Sequence, residues 1–166
     1  PVVDRSGPLD RADAAQQRAV QALDGLAYDM TESEGFFGRF LKRKAALSGV
    51  YLWGGVGRGK SMLMDLAFEH IDVAPKRRVH FHEFMIETHQ RLRDARESTG
   101  GDPIEPVAQA IAAEARLLCF DEMQVTNPAD AMILSRLFDK LLDEGVRVVT
   151  TSNRPPKDLY KNGLNR

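Results

Sequence analysis

One stretch constrains this chain more than any other: Gly54-Gly55-Val56-Gly57-Arg58-Gly59-Lys60-Ser61. It fits the pattern G-x-x-x-x-G-K-[ST], in which a glycine-rich loop wraps phosphate groups. The apolar run Val50-Tyr51-Leu52-Trp53 leads into it and the helix-like run Met62-Leu63-Met64-Asp65-Leu66-Ala67-Phe68 leads out, the strand–loop–helix setting the motif requires. Glycines suit such a loop because its backbone adopts angles that a side chain would block. Its N–H groups then turn inward, and the following helix adds the positive end of its dipole. The expected cradle runs from Gly54 through Met62, with Lys60 reaching the β- and γ-phosphates and the Ser61 hydroxyl placed for Mg²⁺. A glycine-rich turn that merely precedes Lys-Ser is the bland alternative, and the flanking pattern argues against it.

The remaining 158 of the 166 residues leave room for one ordinary domain. Apolar residues make up 43% of the chain, ample for one core, and the net charge of −1 excludes a chain-wide basic surface for nucleic acid. A single cysteine, Cys119, rules out an internal disulfide and suits a reducing compartment. No apolar run approaches the ~20 residues of a membrane span. The chain opens at Pro1, which suggests a trimmed start and leaves a removed targeting segment open.

Three regions are expected: a loose arm over 1–9, a helix and basic linker over 10–48, and a nucleotide-binding core over 49–166. Ala12, Ala15, Ala19, Leu23, Leu26, Ala27 and Met30 recur on one face of a helix from Asp10 to Met30. Arg39, Lys42, Arg43 and Lys44 follow, either a solvated linker face or a contact for phosphates or acidic lipid; the solvated reading is the simpler. Within the core, strands are expected over 49–53, 79–82, 117–120 and 146–151. Helices are expected over 60–71, 83–97, 102–115 and 129–144, with Pro75 and three basic residues read as a turn. Asp102-Pro103-Ile104-Glu105 has the signature of a helix start, and Gly145 that of a helix stop. Met62, Met64, Met85 and Met132 read as core.

Alternating strands and helices imply a parallel α/β sheet, whose ligands gather at the carboxyl ends of the strands. Gly54 to Ser61, His82, Asp121-Glu122 and Ser152-Asn153 all fall at such ends. Leu117-Leu118-Cys119-Phe120 followed by Asp121-Glu122 is the pattern that holds Mg²⁺ beside a phosphate loop: Asp121 would coordinate through water, and Glu122 would orient a water for in-line attack. A strand leading into an acidic helix cap is the alternative. Asn153 is placed either to hold the attacking water and sense the γ-phosphate, or to cap the turn before Pro155. His80, His82, Glu83 and His89 lack an H-E-x-x-H spacing, so structural histidines are expected over a zinc site. Cys119 reads as a small buried apolar residue.

With these motifs in order, the chain resembles the AAA+ ATPase family of bacterial ZapE and its mitochondrial Afg-one/Lace-one relatives. The resemblance rests on Leu52 to Ser61, His80-Phe81-His82-Glu83-Phe84-Met85, Leu118 to Glu122, Asp130-Ala131-Met132, Thr151 to Pro156 and Leu159 to Leu164. It implies a P-loop NTPase three-layer sandwich with four parallel strands in the order 1-4-3-2. It also implies that members continue past Arg166 through a last core strand, a helical lid and a second sensor, so that a sheet edge stands open here. It implies ATP and Mg²⁺ as ligands, Asp121 and Glu122 as the metal-binding and hydrolytic acids, and Asn153 as first sensor. Arg166 becomes a candidate finger acting on a neighbouring subunit of a homo-oligomer; a trailing surface arginine is the alternative. Bacterial members are associated with cell division and the ring protein FtsZ, mitochondrial ones with turnover of respiratory-chain proteins. The expected location is therefore the cytoplasm, including the periphery of the inner membrane, with the mitochondrial matrix as the alternative.

Two further functions fit parts of the pattern. A nucleotide-dependent adaptor of the helicase-loader type would suit the basic clusters near Arg43 and Arg77. A small-molecule kinase would suit the loop, but Asp121-Glu122 and Asn153 argue against it, because a kinase excludes activated water. No N-K-x-D guanine reader occurs.

Overall fold

The computed structural model describes residues 14–32 and 49–159. The arm, the basic cluster from Arg39 to Lys44, and Arg166 lie outside the described residues. Four strands, β1 (Gly49–Trp53), β2 (Lys76–His80), β3 (Leu117–Asp121) and β4 (Arg147–Ser152), form one sheet in the order β1-β4-β3-β2. Every pairing is parallel. The helices are α1 (Ala14–Glu32), α2 (Lys60–His70), α3 (Phe81–Thr99), α4 (Ile104–Glu114) and α5 (Pro128–Asp143), and a short 3₁₀ turn covers Pro156–Asp158.

Side chains alternate across a strand, so each inner strand feeds two cores. Leu117 and Cys119 of β3, with Val149 of β4, pack among α1 and α2 residues such as Leu26, Leu63 and Met64. Leu118 and Phe120, with Val148, face α3, α4 and α5. Helices on both faces explain why β3 reads as an unbroken apolar run. Burial pushes the Cys119 thiol up to about 12, so it stays neutral inside the first of these cores.

Phe120 centres the second core. It is fully buried, tilted against Phe84 at 4.6 Å between ring centroids and edge-on to Phe81 at 5.9 Å, with Phe138 stacked at 5.9 Å. Phe120→Ala is expected to cost ~3–5 kcal/mol, the usual range for emptying a buried aromatic site. Urea denaturation checks this, and a loss below about 1 kcal/mol would mean that the rings re-close over the gap.

The structure departs from the sequence reading in a few places. β2 begins at Lys76, not Val79, so the three basic residues pair with β3 rather than turn the chain. Their charges are tolerated because β2 is an edge strand and acids on neighbouring helices meet them. Arg77 pairs with Glu87 of α3 and lies 3.6 Å from Glu114 of α4. Arg91 joins the same acids at 2.6 and 2.7 Å. The Arg77 guanidinium first, then Arg91, holds the Glu87 carboxyl below its ordinary range. α3 starts directly at Phe81, so His82 lies in a helix and does not share a strand face with His80. Met62 and Met132 are 55% and 70% exposed rather than core. Each lies off the buried stripe of its helix, Leu63-Met64-Ala67 in α2 and Leu134-Leu137-Leu141 in α5.

Other local expectations hold. Asp102 Oδ1 accepts from the Ile104 N–H at 3.2 Å, capping α4. Gly145 ends α5 at a φ of 89°. Asn127 Oδ1 accepts from the Ala129 N–H at 2.9 Å, a cap ahead of Pro128 that starts α5 one residue earlier than expected.

Candidate functional site

The loop between β1 and α2 is built by its glycines and its lysine. Gly57 and Gly59 have φ of 79° and 74°, a left-handed region costly for other residues. Gly59 caps α2, which leaves the first helical N–H groups open toward the loop. Lys60 bends back across the loop, its Nζ donating to the carbonyls of Gly54 and Gly55 at 2.8 Å each. Val56, at 87% exposure, stands out from the loop into solvent. Gln16 of α1 donates to the Arg58 carbonyl at 3.5 Å, so α1 lies along the loop. Between them opens a cavity of about 770 Å³, lined by α1 residues including Gln16 and Ala19, by Leu52, by Gly55 and Gly57, and by Lys60. That volume suits a molecule the size of a nucleotide.

The acids sit at the end of β3. Asp121 shares its strand face with Cys119 and therefore points to the side of α2. Glu122 follows with φ of 58°, a strained angle for a residue with a side chain. Two bonds to β4 hold it there: the Glu122 N–H donates to Thr151 Oγ1 at 3.1 Å, and the Met123 N–H to the Thr151 carbonyl at 2.7 Å. Ser152 extends the lock. Its Oγ donates to the Met123 carbonyl at 2.8 Å and accepts from the Arg154 N–H at 3.2 Å, while its carbonyl accepts from the Gly54 N–H at 3.2 Å. Tyr51 donates to the Arg154 carbonyl at 2.9 Å. Thr151 and Ser152 are buried. Through them the phosphate loop, the acidic turn and the end of β4 are fastened into one rigid rim. The sequence reading places Ser152 at a strand end beside the site but gives it and Thr151 no role; a strand ending in consecutive hydroxyls is the signal that points to one.

Asp121 and Glu122 line a second cavity of about 390 Å³, with His80, His82, Glu83 and Asp130. The structure thus brings Gly54, Gly55, Gly57, Arg58 and Lys60 together at one cavity and the two acids together at the next, while Val56, Gly59, Ser61 and Met62 line neither. Asn153 is exposed directly after β4 and lines neither. His89 Nε2 lies 2.7 Å from Asp130 Oδ1, tying α3 to α5. Among the described residues, no group of three or more His, Cys, Asp or Glu side chains is arranged to hold a metal unaided. What the site offers is oxygen: the Ser61 hydroxyl on α2 and the Asp121 carboxylate on β3. That donor set fits Mg²⁺, which usually takes one or two protein ligands and completes its shell with phosphates and water.

Arg78 is a further residue to which the sequence reading gives no role at the site. From β2 its Nε donates to Asp121 Oδ2 at 2.7 Å and its Nη2 to Asp121 Oδ1 at 3.2 Å, and its Nη1 pairs with Asp65 of α2. These bonds, Asp121 first, hold its guanidinium above the ordinary arginine range. A basic run read as a turn hid it; read as a strand beside the acidic end of β3, it would have been visible.

The AFG1-like ATPase family model matches residues 6–166. The chain belongs to the AFG1-like ATPase family. It is similar to Lactation elevated protein 1 homolog B of Danio rerio, at 51% identity over 71% of this chain and 25% of the fish protein. It is similar also to Cell division protein ZapE of Escherichia coli K12, at 47% identity over 71% of this chain and 31% of the bacterial protein. The chain therefore spans between a quarter and a third of the length of these relatives. Its fold is similar to domain III of the Thermotoga maritima replication initiation protein DnaA, with a TM-score of 0.60 at 16% identity over 90% of this chain and 56% of that one. Among the described residues of this AFG1-like chain, no helix is long and apolar enough to cross a membrane.

Proposed function

We propose that this AFG1-like protein binds ATP with Mg²⁺ at Gly54 to Met62 and hydrolyses it to drive work on a protein partner. The observation that carries this reading is the fastening of the phosphate loop and of the turn after Asp121 to adjacent residues at the end of β4: Gly54 to Ser152, Glu122 to Thr151, and Met123 to both. A loop that only bound a nucleotide would not need the acidic turn held in register with it.

On this reading the loop N–H groups and the start of α2 receive the phosphates, and Lys60 leaves the Gly54 and Gly55 carbonyls for the β- and γ-phosphates. The base and ribose occupy the cavity along α1. Ser61 and Asp121 would hold Mg²⁺, which when bound neutralises charge developing on the phosphates. Glu122 accepts the proton of the attacking water, and Asn153 holds that water in line. Family membership supports ATP as the nucleotide. Assembly into a homo-oligomer, with Arg166 reaching a neighbour's nucleotide, is supported by sequence resemblance. The name of the Escherichia coli relative, Cell division protein ZapE, supports a role in cell division; we read the cytoplasm as the site of action, with FtsZ as the partner to test first.

Steady-state phosphate release by the whole protein tests the reaction. ATP with Mg²⁺ is expected to give free phosphate that disappears in excess EDTA. Transfer of the phosphoryl group to an added nucleoside, without free phosphate, would make the protein a kinase instead.

A further inference from the structure

Nothing in the loop or the acidic turn accounts for the position of Arg78. Its two-point clasp on Asp121 uses the planar fork that suits a carboxylate, and the same guanidinium reaches Asp65. The side chains are 27% exposed for Arg78 and 16% for Asp121, so solvent screens this pair far less than a surface contact. Asp65 lies four residues after Ser61 on α2, and residues so spaced share a helix face. One arginine therefore ties the helix that carries Ser61 to the strand that carries Asp121. The tether also separates two carboxylates, Asp65 and Asp121, that would repel across the same gap. A carboxylate has about four lone-pair positions, so the clasp leaves Asp121 able to accept from a metal-bound water while stopping its rotation.

We propose that Arg78 is a positioning residue for the Mg²⁺–nucleotide site, fixing both the orientation of Asp121 and its spacing from Ser61. The proposal rests on the reading of these residues as an Mg²⁺–ATP site. Groups that orient metal ligands commonly change metal affinity by about 10- to 100-fold when removed. Lysine keeps the charge but cannot make the fork, and Asp65→Asn keeps the clasp but weakens the tether to α2.

The test is equilibrium binding of a fluorescent ATP analogue to the whole protein, in EDTA and across a Mg²⁺ titration, for wild type, Arg78→Ala, Arg78→Lys and Asp65→Asn. In EDTA all four are expected to bind within about threefold of one another. The Mg²⁺ concentration that half-restores tight binding is expected to rise by about tenfold in Arg78→Ala, with smaller rises of about threefold in Arg78→Lys and Asp65→Asn. A lower melting temperature with an unchanged Mg²⁺ midpoint would reduce Arg78 to a structural ion pair and overturn the proposal. If Arg78→Ala does not fold, unchanged midpoints in both milder variants overturn it equally. Failure of the wild type to bind the analogue, or binding indifferent to Mg²⁺, has a different signature and removes the site itself.

Discussion

The Lys60→Ala protein is expected to bind ATP at least tenfold, and up to about a hundredfold, more weakly than the wild type. Lys60 is the loop cation that the phosphate-loop pattern assigns to the β- and γ-phosphates. Hydrogen bonds to charged groups contribute ~1.5–3 kcal/mol each, and about 1.4 kcal/mol is a factor of ten. Its present partners are two loop carbonyls, at the Gly54 and Gly55 positions, which water can serve when the amine is gone. The fold should therefore survive, with a melting temperature close to that of the wild type. Titration of a fluorescent nucleotide, paired with a thermal scan, separates the two effects. Undiminished affinity in a folded Lys60→Ala protein would place the phosphates somewhere other than this loop.

Glu122→Gln is expected to behave in the opposite way, keeping ATP affinity and losing turnover. Removing a general base typically costs ~10²–10⁴ in rate. The amide has nearly the same shape as the carboxylate but does not take a proton from water. Nothing that holds residue 122 depends on its side-chain charge: the Thr151 hydroxyl receives the backbone N–H, and Met123 is bonded to the Thr151 carbonyl. The strained angle at Glu122 is thus preserved in the variant. Steady-state phosphate release is the measurement. Hydrolysis within a few-fold of wild type would reassign the base, with Asp130 and Glu83, which share its cavity, as the next residues to test.

Much of this candidate site is legible in the sequence, for physical reasons that differ by element. β1, the loop and α2 were visible because glycine spacing and the lysine are themselves the chemistry. β3 was visible because a strand buried on both faces reads as a continuous apolar run, and β4 because Val148-Val149 and the β-branched Thr150-Thr151 follow the helix stop at Gly145. β2 was misplaced because Lys76, Arg77 and Arg78 look like a solvated turn. Only the acids that neighbouring elements bring to them, Glu87, Glu114 and Asp65 from helices and Asp121 from β3, make a strand of that run affordable. Periodicity alone also misjudged Met62 and Met132, because a methionine's place on a helix depends on which stripe the neighbours cover. The consecutive hydroxyls of Thr151 and Ser152 are visible in the sequence, but which groups they bond, Glu122, Met123 and Arg154, depends on how the strand ends are brought together.

The central claim is that the glycine-rich loop and the acidic turn act on one bound ATP. A single-turnover experiment tests it most directly: excess whole protein, wild type or Glu122→Gln, is mixed with radiolabelled ATP and Mg²⁺, and the protein-bound nucleotide is separated and identified over time. ADP and free phosphate should accumulate with the wild type, while Glu122→Gln should hold intact ATP over the same period. ADP appearing at the same rate in both would contradict the account.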